Sequence, residues 1–116
     1  MPTSFAGERQ LVVAVVKGYR RVERVMEGFL EIGLPGATIV DAKGMGQIVS
    51  TELPVFSGFR SLFPGGGEES YLILSVVAAE QVEEAIGMIR DVCEDFSAKG
   101  TGIVFTLPVS GFVGPG

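Results

Sequence analysis

Two short strings in this 116-residue chain have the residue types for binding chemistry: Lys43-Gly44-Met45-Gly46-Gln47 and Lys99-Gly100-Thr101-Gly102. Glycine lets backbone N–H groups approach a ligand closely, and successive exposed N–H groups form a nest for an anion. A neighbouring lysine adds a charge-assisted contact. The chemistry this implies is non-covalent capture of a phosphate group. Short glycine motifs serve equally as turns, and Lys99 serves equally as a cation near the carbonyl end of a helix.

Covalent and metal chemistry are poorly provided for. The chain has no histidine, so the commonest general base and metal ligand are missing. Its one cysteine, Cys93, cannot build a zinc site alone and reads most simply as a small apolar side chain on a helix. No nucleophile stands beside a base, so the expectation is a non-enzyme without a metal.

The net charge of -5 and the scatter of lysine and arginine, clustered only at Arg20, Arg21 and Arg24, argue against nucleic acid. A lone cysteine and an N-terminus without a basic start and apolar core predict a cytoplasmic protein. Residues 100–116 form the longest uncharged stretch, but glycines and two prolines break it and it is short for a membrane span.

The elements that must position these strings follow from periodicity. Leu11–Val16 is a valine-rich apolar run and predicts a strand buried on both faces or against a partner. Val22, Val25, Met26, Phe29 and Leu30 then recur at helical spacing, opposite Arg21, Glu23, Arg24 and Glu27, until Gly33 and Pro35-Gly36 stop the helix. Residues 37–42 predict a second strand, 71–77 a third and 101–109 a fourth, with Pro108 at its end. A second helix runs from Glu80 through Val82, Ala85, Ile86, Ile89, Cys93 and Phe96.

Residues 44–70 lack a sustained period and predict a long loop. Its Phe56, Phe59, Leu62 and Phe63, with Arg60 among them, are unusual in a solvated loop; they either cover the domain's own sheet or anchor a partner, and the expectation is a partner-binding segment. Residues 110–116 predict a glycine-rich tail.

One half of the chain slides onto the other. Leu11–Val16 falls on residues 71–76, and Val22, Val25, Met26 and Phe29 fall on Val82, Ala85, Ile86 and Ile89. Two such halves predict a single α+β domain, residues 1–116, of ferredoxin-like split βαβ type (βαββαβ). Its four-stranded antiparallel sheet carries both helices on one face. Strands this apolar leave the other face unfit for water, so assembly through the sheet is expected.

With this order of parts, Lys43-Gly44-Met45-Gly46-Gln47 and the later string Thr51-Glu52-Leu53 resemble the PII signal-transduction (nitrogen regulatory protein P-II) family, as a divergent PII-like member. The resemblance spans nearly the whole chain. It implies a cytoplasmic homotrimer that binds an adenine nucleotide in clefts between subunits. Residues 47–70 would stand as the effector-type loop (T-loop), with Pro54 where the family carries a tyrosine.

By that resemblance Thr38 contacts adenine, Val15 and Met45 supply apolar surroundings, and Lys43, Gly44, Gly46 and Gln47 form one wall. Lys99, Gly100, Thr101 and Gly102 form the other. Ile103 replaces a family lysine and residues 110–116 lack the family's arginines, so the resemblance implies AMP or ADP ahead of ATP. The partner it implies is a membrane transporter or permease, which would recruit the protein to the membrane, or an enzyme of nitrogen or carbon metabolism. The alternative is a ligand-free assembly module of ferredoxin-like fold.

Overall fold

The computed structural model describes residues 3–5, 8–49, 55, 58–59, 62, 68–93 and 102–114. Strands β1 (Thr3–Phe5) and β2 (Arg9–Lys17) precede helix α1 (Tyr19–Glu31) and strand β3 (Thr38–Ala42). A single helical turn, α2 (Met45–Gln47), follows. Strand β4 (Ser70–Ala78) passes through a 3-10 turn, Ala79–Gln81, into helix α3 (Val82–Val92). Strands β5 (Gly102–Pro108) and β6 (Gly111–Val113) complete the order.

The main sheet has the order β3-β4-β2-β5, every neighbouring pair antiparallel. This is the ferredoxin-like α+β arrangement. The central pair runs in register from Arg9↔Ala78 to Lys17↔Ser70. Val12, Ala14 and Val16 of β2 join Tyr71, Ile73 and Val77 of β4 in the core, where they meet Val22, Val25 and Phe29 of α1 and Ala85, Ile89 and Val92 of α3. The helical spacing of these apolar residues explains why both helices lie on this face.

The end of α1 is fixed locally. Gly33 takes φ 79, Leu34 N–H donates to the Phe29 carbonyl at 2.8 Å, and Gly33 N–H donates to that of Leu30 at 3.2 Å. These paired bonds satisfy carbonyls that the helix end leaves open, and Leu34 packs into the same core as Phe29.

The opposite sheet face is apolar over its middle rows. The register places Val40, Leu72, Val15 and Ile103 in one row, and Thr38, Leu74, Val13 and Phe105 in the next, while Ala42, Ser70 and Lys17 end the face on a polar row. Ile103, Phe105, Leu107 and Val76 remain exposed.

Three features depart from the sequence expectation. The stretch predicted as loop from residue 44 begins with α2, because a three-residue turn is too short to show a period. Within the predicted tail 110–116, Gly111–Val113 forms β6 and pairs with β1, Thr3 opposite Val113. The halves superpose in their helices but slip by one residue in their strands: buried Val16 would fall on Val76, which is exposed. Side chains alternate with period two, so a one-residue slip reverses the face. The 3-10 turn of the second half, against the lone Gly18 of the first, absorbs the difference.

Candidate functional site

Four strand ends meet at one end of the sheet: the last residues of β2 and β3 and the first of β4 and β5. One row there is Ala42, Ser70 and Lys17; the next is Asp41, Tyr71, Val16 and Gly102. Both glycine strings therefore attach at this end.

They attach to opposite edges. Asp41 on β3 and Gly102 on β5 are three interstrand steps apart, about 14 Å at roughly 4.8 Å per step. Gly102 has φ 132, a conformation that other residues rarely adopt, so the start of β5 requires its glycine.

On the β3 edge a cavity of about 290 Å³ is lined by Asp41, Lys43, Gln47, Glu69, Ser70 and Tyr71. Gly46 in α2 is buried, while Met45 is exposed. A Cβ on Gly44 would stand 3.4 Å from Lys17 Nζ and 3.5 Å from Ser70 Oγ, so the bare backbone lies close to an ammonium and a hydroxyl. Ser70 is buried, and its Oγ has no hydrogen-bond partner among the described residues. An unsatisfied buried hydroxyl costs about 1–3 kcal/mol. A hydrogen-bonding ligand group in the cavity would recover that.

Tyr71 donates a 2.6 Å hydrogen bond to Glu69 Oε2 and meets the ring of Tyr19 edge-on at 5.4 Å. The bond to the Glu69 carboxylate, then burial, then the charges of Glu69 and Asp41 push the Tyr71 phenol up to about 12. The hydroxyl thus stays protonated at neutral pH, a donor beside two carboxylates. Among the described residues no three His, Cys, Asp or Glu side chains gather to hold a metal ion.

Of the residues named from sequence, Lys43, Gly44, Gly46 and Gln47 come together here. Thr38 lies at the far end of β3, about 13 Å from Ala42 at roughly 3.3 Å per residue. It faces a separate open cleft of about 570 Å³ with Leu11, Leu74 and Val76. Val15 sits on the apolar face in the middle of the sheet. Phe59 and Leu62 are exposed, as is Val55. Phe56, Arg60, Phe63, Lys99, Gly100 and Thr101 lie outside the described residues.

Sequence reasoning missed Lys17, Asp41, Glu69, Ser70 and Tyr71. For Lys17 a signal existed: each of the three lysines, at 17, 43 and 99, directly precedes a glycine. The others carry no local mark, because strand pairing alone brings them together.

An antiparallel split-βαβ sheet with both helices on one face defines a ferredoxin-like domain. The family model described as Nitrogen regulatory protein P-II matches residues 9–113, and the chain belongs to that family of regulatory, non-enzymatic signalling proteins. Among solved structures it is similar to the crystal structure of Arabidopsis thaliana PII bound to citrate, at 26% identity and a TM-score of 0.64, over 89% of this chain and 78% of that one. No curated protein matches the chain. No helix among the described residues is long and apolar enough to cross a membrane.

Proposed function

We propose that the chain is a single-domain PII-type regulator that assembles as a homotrimer and binds an adenine nucleotide, AMP or ADP ahead of ATP, in clefts between subunits. The observation that carries this reading is the placement of the two glycine strings. The first follows β3 and the second runs into β5 at Gly102, so they join the same end of the sheet at opposite edges, where Asp41 and Gly102 are about 14 Å apart across three interstrand steps. The β5-edge string of one subunit can meet the β3-edge cavity of a neighbour, whereas within one subunit two strands separate them.

The apolar sheet face supplies the driving force for assembly. Burying a side chain such as Phe105 or Ile103 contributes about 1.5–3 kcal/mol. Val15 then becomes part of a covered wall. The bound citrate in the Arabidopsis thaliana PII structure supports capture of a small anion by this fold.

Two features favour fewer phosphates. Asp41 and Glu69 line the same cavity as Lys43, so added phosphate charge meets like charge. Residues 111–113, where family arginines would reach a triphosphate, are instead paired with β1.

Residues 47–70 then report occupancy to a target, since their stems at α2 and Glu69 border the cavity. Exposed Val55, Phe59 and Leu62 offer apolar anchors. A membrane transporter fits this role first, a metabolic enzyme second, with the protein acting from the cytoplasm. Calorimetry with AMP, ADP and ATP tests the reading. The expected order of affinity is AMP or ADP above ATP; absence of heat for all three would leave only an assembly module.

A further inference from the structure

The helical side of the domain carries a second concavity with no part in the site above. A cleft of about 490 Å³ lies between α1 and α3. Each helix lines it with one stripe at i, i+3, i+4, i+7 spacing, from Arg24 to Glu31 on α1 and from Glu84 to Asp91 on α3. Residues so spaced share one helix face.

Two glycines shape the groove. Met88 fills the space that a Gly28 Cβ would need, which lets the helices approach closely. A Cβ on Gly87 would meet only Arg90 Nη2 at 3.9 Å, so the second glycine leaves open volume. Ile32, Met88 and Val92 give the floor its apolar character, and the exposed carboxylates of Glu27, Glu31, Glu84 and Asp91 form the rim. Arg24 is the one cation among the lining residues.

Helix stability accounts for Glu84, which lies in the first turn of α3, but not for the acids of α1. α1 has no acid in its first turn and no base in its last, and Glu31 ends it where the macrodipole disfavours a negative charge. Four carboxylates around one apolar floor also repel one another. A second copy of the chain would bring the same acidic rim and be repelled, whereas a basic segment neutralises it.

We propose that this groove docks a basic amphipathic helix of a partner protein. The partner's apolar stripe lies on Ile32, Met88 and Val92, and its lysines or arginines flank the stripe and meet the four carboxylates. Arg24 fixes direction by meeting an acidic residue at one end. The groove is on the opposite side of the sheet from the apolar face, so assembly through that face leaves it open.

The test is fluorescence anisotropy of the full chain with a labelled peptide of about fourteen residues, roughly four helical turns, with leucine at stripe positions and lysine elsewhere. One control scrambles the same residues, and another replaces every lysine by glutamate. The striped lysine peptide should bind about tenfold or more tighter than either control, and more weakly as salt rises. Glu27→Lys combined with Glu84→Lys should weaken it about tenfold. Gly87→Met, which fills the groove, should do the same with a thermal midpoint that does not fall, since methionine favours the helix over glycine.

Equal binding of the scrambled peptide overturns the proposal, as do preference for the glutamate peptide and indifference to Gly87→Met. Self-association abolished by Gly87→Met would assign the groove to a second copy and overturn it too.

Discussion

The hydroxyl of Tyr71 donates to Glu69 Oε2 at 2.6 Å, and both side chains line the cavity at the β3 edge. The carboxylate stabilises the protonated phenol and holds it up to about 12, against an ordinary value of 10.0. Below pH 10 native and unfolded chains both keep the proton, and the contribution to stability is complete. As pH rises from there towards 12 the unfolded chain ionises first, so native stability falls through that window. In a Tyr19→Phe background the phenolate absorbance should titrate near 12. Adding Glu69→Gln should move the midpoint back towards 10, and a midpoint unmoved by that change would refute the assignment of cause.

Gly18 begins α1 with φ 83, and a Cβ there would stand 2.9 Å from Glu68 Oε2. Gly18→Ala should therefore destabilise by about 1–3 kcal/mol in urea denaturation. Glu68 also lies 3.7 Å from Arg21, but its side chain is 51% exposed. Glu68→Gln should change stability by less than about 1 kcal/mol.

Met88 and Gly28 set the distance between the helices. Gly28→Val forces Met88 out and adds a β-branched residue, at a cost of about 1–3 kcal/mol. Adding Met88→Ala to that variant should recover part of the loss, because the two changes share one volume. Strict additivity in the double-mutant cycle would show that the contact does not matter.

Phe105 lies on the apolar sheet face, midway along the edge strand β5. Phe105→Glu places a charge on a surface that assembly would bury, and sedimentation should show a monomer. An unchanged mass would mean that the chain assembles by another face.

Cys93 is buried, and burial pushes its thiol up. Reaction with a thiol reagent at neutral pH should wait on unfolding, so its rate should follow global stability across the variants above.

The sequence by itself determined the order of the four main strands and two long helices, most of the buried face of each helix, and the antiparallel four-stranded sheet, although Leu30, placed by its spacing on the apolar face of α1, is exposed. These rest on local periodicity, as at Val22, Val25 and Phe29, where spacing alone marks the buried face. It also marked Lys43, Gly44, Gly46 and Gln47, because glycine beside lysine has a local physical meaning. Only the tertiary structure decided the rest. Thr3 meets Val113 through a pairing that no short window of sequence can encode. Ser70, Tyr71 and Glu69 reach the cavity because β4 pairs with β3 in one register, and Val16 differs from Val76 because the two turns differ in length. Of the described residues marked from sequence, Lys43 and Gln47 line the β3-edge cavity, whereas Thr38 sits at the other end of its strand. Periodicity specifies which face a residue takes, whereas strand pairing specifies which distant residues share that face.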